Sequence, residues 1–268
     1  MVAYLEHKDL TNEVITPQRE REIRDGVARV RDEVAHALAA NGRDENAVTI
    51  LAATKTRDIG EIRVALNAGI RAIGENRPQE IQIKAPLLAD DLARLGVDYH
   101  LIGQLQKNKI NKVLGIVSTI ESVDSAQQAA QIGQRFVARG EMPVLPGQTL
   151  VLSAQKVFLE VNESGEMSKS GCEPEQAYEE ALAIAATPGV ELAGLMTVGA
   201  HVSDESRVRF GFAALRELRD KIVASHEPGT QTCTELSMGM THDIAWAIAE
   251  GSTQLRIGTG IFGARAFI

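Results

Sequence analysis

The chain has 268 residues, room for one large α/β domain or two small ones and close to the length of a (β/α)8 barrel. A net charge of −8 argues against a general nucleic-acid-binding surface, and two cysteines far apart, Cys172 and Cys233, exclude a disulfide framework. The first 15 residues carry His7, Lys8, Asp9 and Glu13 without an apolar core, and no window reaches the apolar length of a membrane span, so a soluble, cytoplasmic protein is expected.

Residues 1–15 read as a flexible leader. Thr16-Pro17 then offers an N-cap and a proline at the first helical position. Ile23, Val27, Val30, Val34 and Leu38 follow three or four residues apart, one apolar stripe on a long charged helix that Asn41-Gly42 closes. From Val48 the pattern changes to strand alternating with helix. Residues 48–56 form an apolar run, β-branched at its start, that suits a strand covered on both faces. Lys55 falls where that strand ends. Asp58 can cap a helix through Asn67, and further strands are expected at 70–73, 99–102, 116–120, 157–161, 190–195, 234–236 and 254–257. The helices between them span about 78–90, 124–138, 174–186 and 243–250, with another carrying Phe212, Leu215 and Leu218. Residues 139–154, with Gly140, Pro143, Pro146 and Gly147, read as a surface loop insertion. Eight strands alternating with helices and no break in composition predict one closed (β/α)8 barrel over residues 16–268, with the first helix added outside the repeat. An open doubly wound sheet is the alternative.

In such a barrel the site lies at the C-terminal ends of the strands, which nominates Lys55, Asn76, His100, Met196, Ser237 and Arg256. Burial favours the neutral amine of a lysine, the species that condenses with an aldehyde to a Schiff base. Two strand ends suit a phosphate. Ser237-Met238-Gly239-Met240-Thr241 offers a hydroxyl, a glycine and the start of a helix, and Gly258-Thr259-Gly260 offers two glycines and a second hydroxyl. The run 258–263 also satisfies G-x-G-x-x-G, but five following residues are too few for a dinucleotide-binding unit. His100 reads as a hydrogen-bonded core residue, Lys107, Lys109 and Lys112 as a solvated face, and Cys233 as a small core hydrophobe.

An amine at one strand end and an anion seat across the mouth match the aldehyde and phosphate of pyridoxal 5′-phosphate. The segments 51–56 (LAATKT), 74–80 (GENRPQE), 99–109 (YHLIGQLQKNK), 161–171 (VNESGEMSKSG), 194–197 (GLMT), 236–241 (LSMGMT) and 256–263 (RIGTGIFG) make the match specific. In these the chain resembles the pyridoxal-phosphate homeostasis proteins, whose fold is similar to the N-terminal barrel of alanine racemase. The resemblance implies a Schiff base at Lys55 and a phosphate against Ser237, Gly258 and Thr259, with Met238 and Gly239 in the same loop. It also places the Arg256 guanidinium beside the pyridine nitrogen, and Asn76 and Met196 on strand ends lining the mouth. Two departures stand out, Tyr99 where the family more often has tryptophan or phenylalanine and the length of the 139–154 insertion. The resemblance implies a monomeric carrier of pyridoxal phosphate that serves its homeostasis, with apoenzymes as candidate recipients. No catalytic residue and no metal are assigned. The rivals are an amino-acid racemase, for which Tyr4, Tyr99 and Tyr178 supply no obvious second base, and a barrel acting on a sugar or indole phosphate without a cofactor.

Overall fold

The computed structural model of the chain describes residues 9–140, 153–163, 170–199 and 204–264. Helix α1 (Pro17–Ala40) starts as the sequence predicts, with the Thr16 hydroxyl accepting from the Arg19 amide. Its stripe of Ile23, Val27, Val30, Val34 and Leu38 is buried. Each such side chain contributes about 1.5–3 kcal/mol, set against the entropy of ordering the helix. Gly42, at φ 62, takes the left-handed position after the helix.

The alternation follows: β1 (Thr49–Ala53), α2 (Ile59–Asn67), β2 (Ala72–Glu75), α3 (Pro78–Leu95), β3 (Asp98–Leu101) and, after a 3-10 turn at Lys107–Lys112, β4 (Thr119–Val123). The second half runs α4 (Ala126–Arg139), β5 (Gln155–Glu160), α5 (Pro174–Ala185), β6 (Val190–Met196), α6 (Glu205–Ala224), β7 (Glu235–Ser237), α7 (Ile244–Ala249), β8 (Gln254–Ile257) and α8 (Thr259–Phe262). The strands close in sequence order into a parallel barrel, β8 pairing back to β1 through Leu51 opposite Arg256. The open-sheet alternative is thereby excluded. Among the described residues no helix is long and apolar enough to cross a membrane.

Several boundaries differ from the sequence expectation, each for a physical reason. Helix α3 does not end near residue 90 but runs through Pro86 to Leu95, because Leu88 and Leu92 extend the buried stripe begun by Ile81 and Ala85. Strand β4 begins at Thr119 rather than 116: Ile110, Val113, Leu114 and Val117 are spent packing the turns before it. Helix α4 starts at Ala126 rather than 124, because the Ser125 hydroxyl caps it by accepting from the Gln128 amide, while the Asp124 carboxylate accepts from the Ser125 hydroxyl. Residues 9–15 do not hang free, since Leu10 is buried and the carbonyls of Leu10 and Asn12 accept from the amides of Ile59 and Gly60. Most of the 139–154 insertion lies outside the described residues.

Strand periodicity sorts the side chains into two sets. Ala52, Ile73, Tyr99, Leu101, Ile120, Leu236, Met238, Leu255 and Ile257 join the helices in the large hydrophobic core. Their neighbours His100, Glu121, Ser237, Gln254 and Arg256 turn into the lumen. Phe158, Ala193 and Met196 form a separate small cluster.

Helix α1 also fixes the end of the barrel. A Cβ on Gly26 would lie 2.3 Å from the Ile261 carbonyl, so α1 rests directly on the backbone of α8. Arg19 bridges the Glu61 carboxylate (2.6 Å) and the Phe262 carbonyl (2.7 Å), and Arg57 donates to the Gly263 carbonyl at 2.9 Å. We therefore expect Gly26→Ala to cost about 1–3 kcal/mol in a denaturant titration, the usual penalty of overpacking a closed contact.

Candidate cofactor site

The lumen of this barrel is polar. Gln254 on β8 donates to Glu121 on β4 at 2.7 Å, a bond that joins opposite walls and can only cross the interior. The other Glu121 oxygen accepts from the Ser237 hydroxyl at 2.6 Å, and His100 Nδ1 lies 2.6 Å from the carboxylate. Burial works to raise Glu121, but His100, Arg256 and Ser237 outweigh it and hold the carboxyl below its usual value. Arg256 sits beside this network, 6% exposed. Its Nη1 donates to the Ser237 carbonyl and hydroxyl, both at 2.7 Å, and Nη2 to the Thr197 carbonyl at 2.7 Å. These partners are neutral oxygens, and the balancing charges of Glu121, Glu160 and Asp243 act through space. The guanidinium is thus held flat by backbone and hydroxyl groups and remains a cation at the barrel mouth.

Lys55 occupies the turn just beyond β1, half-buried. Ala53 faces the lumen side, where a Cβ on Gly258 would be 3.7 Å from its own. Thr54 points the other way, into the helix layer, donating to Glu75 at 2.7 Å. Lys55 follows in the turn that leaves β1 at the mouth, and β1 pairs directly with β8. Asn76 follows Glu75 in the bend after β2, and its backbone is held close: a Cβ on Gly103 would meet the Asn76 carbonyl at 2.3 Å. Thr56 takes φ 67, a left-handed conformation that a β-branched residue rarely adopts. Backbone strain of this kind, about 1–3 kcal/mol, persists where the surroundings over-determine it and clusters at functional positions.

The loops after β7 and β8 are tied together. The Thr259 hydroxyl donates to that of Thr241 at 3.1 Å, and the Gly260 amide donates to Thr241 Oγ1 at 3.1 Å. Thr259 is exposed and Gly258 half-buried, so this pair forms the open edge of the mouth next to β1. The Met238 side chain lies in the helix-facing core, leaving its backbone alone for a ligand. Gly239, at φ 98, is required because a Cβ would strike Ala247 and Leu255 at 2.5 and 2.6 Å. The Met240 amide is taken by the Asp243 carboxylate. Ser237 gives its proton to Glu121 and receives Arg256 and Gln254, so it shapes the site by holding Arg256 in place.

The structure thus brings Lys55, Asn76, Met196, Ser237, Arg256, Gly258 and Thr259 to one end of the barrel on neighbouring strands. Sequence reasoning missed Glu121 and Gln254, though a carboxylate directly after the run 116–120 read as the fourth strand was a legible signal. Among the described residues no cluster of histidine, cysteine, aspartate and glutamate could hold a metal ion.

Comparison with known proteins places the fold in a family. The family described as alanine racemase, N-terminal domain, matches residues 32–266. The pyridoxal phosphate homeostasis protein of Aquifex aeolicus is 36% identical over 241 residues, 90% of this chain and 97% of that one. A crystal structure of an unknown protein from Bifidobacterium adolescentis is 55% identical, with a TM-score of 0.89 over 95% of this chain and 100% of that one. PipY of Synechococcus elongatus PCC7942, solved with PLP bound, is 29% identical, with a TM-score of 0.69 over 86% of this chain and 100% of that one. The chain therefore belongs to the alanine racemase N-terminal domain family and, within it, to the family of the pyridoxal phosphate homeostasis proteins.

Proposed function

We propose that this chain binds pyridoxal 5′-phosphate reversibly through Lys55 and serves the homeostasis of that cofactor in the cytoplasm, residues 16–268 acting as one domain. The observation that carries the reading is the placement of Lys55 at the end of β1, beside the Gly258–Thr259 edge of β8 and the buried Arg256 cation. When bound, the cofactor supplies an aldehyde, whose carbon joins an amine nitrogen while its oxygen leaves as water with both amine protons.

The residues fit that group. Lys55 provides the nitrogen. Thr259 and the backbone of 238–239 and 258 provide a mouth edge where a phosphate can be met by hydroxyl and amide donors. Arg256, fixed by Ser237 and Thr197, presents a donor that cannot give up its proton, and it therefore favours an unprotonated ring nitrogen. Met196, 1% exposed beside Phe158, gives the ring an apolar wall, and Asn76 closes the β2 side. This arrangement suits holding more than turnover. Of the tyrosines that could act as a second acid or base, Tyr99 is packed in the helix-facing core, and Tyr178 on α5 lies under the Lys221 ammonium, 3.9 Å from its ring centroid. Tyr4 is outside the described residues.

Charge-assisted hydrogen bonds to an anion contribute about 1.5–3 kcal/mol each, so pyridoxal without its phosphate is expected to bind at least about tenfold more weakly. Parallel absorbance titrations with the two vitamers test this. Equal affinities would remove the phosphate seat from the account and favour a different occupant.

A further inference from the structure

The buried side chains behind Lys55 form an ionic cluster that the cofactor site does not use directly. Glu80 and Lys84 lie one turn apart on α3, and Glu75 ends β2. The Lys84 ammonium is 2.7 Å from Glu75 Oε1 and 2.9 Å from Glu80 Oε2, with Lys84 and Glu75 fully buried and Glu80 1% exposed. The remaining bonds of the cluster converge on the Lys55 turn. Lys84 donates to the Thr54 carbonyl at 2.9 Å, Glu80 Oε2 accepts from the Thr56 amide at 2.8 Å, and Glu75 Oε1 accepts from the Thr54 hydroxyl at 2.7 Å. The residues immediately before and after Lys55 are therefore both gripped, and the second of them is the one in the left-handed conformation.

We propose that the Glu75–Glu80–Lys84 cluster is the positioning device for Lys55, clamping the peptide on both sides so that its amine meets the incoming aldehyde in a fixed direction. This rests on the reading of Lys55 as the cofactor's amine. An interior ion triad contributes little net stability compared with apolar residues of the same volume, so its presence calls for a geometric reason. Backbone clamping supplies one. The Thr56 conformation would relax to an extended or right-handed form unless its amide were captured, and relaxation there swings Lys55. The cluster also carries two carboxylates against one ammonium. Burial pushes Glu75 up to about 7, with Lys84 pulling it down and Glu80 adding to the rise, so Glu75 can carry the proton that balances the cluster. Its Oε2 has no hydrogen-bond partner among the described residues.

The test separates attachment from binding. Non-covalent affinity is measured with pyridoxine 5′-phosphate, which lacks the aldehyde, and the attachment rate by stopped-flow absorbance with pyridoxal 5′-phosphate. The main variant is the all-apolar triple Glu75→Leu, Glu80→Leu, Lys84→Met, which replaces the cluster without stranding a charge. The conservative control is Glu80→Gln, which keeps an acceptor for the Thr56 amide. We expect the triple variant to bind pyridoxine phosphate within threefold of the unaltered chain and to form the linkage at least tenfold more slowly, with Glu80→Gln near the unaltered rate. A triple variant that attaches at the unaltered rate overturns the proposal. So does a parallel loss of pyridoxine phosphate binding, which would mark the cluster as purely structural, and so does a Glu80→Gln variant as slow as the triple. If the unaltered chain itself forms no linkage at Lys55, the site reading fails instead, and that control is run first.

Discussion

Lys55→Ala will bind pyridoxal 5′-phosphate without the visible absorbance of a carbon–nitrogen linkage, and its apparent affinity will fall at least about tenfold, about 1.4 kcal/mol. The phosphate edge at Thr259 and the Arg256 cation remain in this variant, so some binding persists. Lys55→Arg sharpens the experiment because it restores a positive charge that cannot condense with an aldehyde. If the loss came merely from a missing charge, arginine would recover the affinity. We expect it to recover neither the spectrum nor the attachment, whereas the fold of both variants, followed by circular dichroism, stays intact because Lys55 lies in a half-buried turn.

The second large effect falls on stability. Lys84→Met removes the ammonium that Glu75 and Glu80 share and leaves their carboxylates together in a dry interior. Breaking a buried ion pair from one side costs about 3–5 kcal/mol, and for a chain of this size that is a fall in Tm on the order of 10 °C. The sign of the coupling is equally diagnostic. Adding Glu75→Leu and Glu80→Leu to Lys84→Met removes the stranded charges, and the triple variant is expected to regain most of the loss despite carrying more substitutions. A triple variant less stable than Lys84→Met would show that the cluster contributes through its hydrogen bonds to Thr54 and Thr56 more than through its charges.

What the sequence revealed and what it hid divide along a physical line. The barrel, α1 and the strand-end residues were legible because they rest on local patterns: a 3.6-residue stripe from Ile23 to Leu38, strand alternation, and glycines or caps at element ends. The strand ends were legible for the same reason: Lys55 and Asn76 fall just past β1 and β2, Met196 and Ser237 end β6 and β7, and Arg256 lies one residue before the end of β8. The lumen network was not legible, because Glu121 and Gln254 meet across 133 residues of chain and nothing local announces the partner. The ion cluster was hidden similarly, although Glu75 and Glu121 sit inside short buried strands where a carboxylate demands an explanation. The role of Ser237 shows a subtler limit. Its residue type suits an anion, but nothing local shows that its hydroxyl also donates to Glu121 and accepts from Arg256 and Gln254. The misplacement of β4 by three residues came from Ile116 and Val117, whose apolar character served the packing of a turn.

The central claim is that Lys55 carries the cofactor. The most direct measurement is borohydride reduction of the protein loaded with pyridoxal 5′-phosphate, followed by proteolysis and mass mapping of the modified peptide. The account predicts one phosphopyridoxyl group per chain on the peptide containing Lys55, and none on that peptide in Lys55→Ala. A label found mainly on another lysine, Lys169 for example, or an undiminished label in Lys55→Ala, would contradict it.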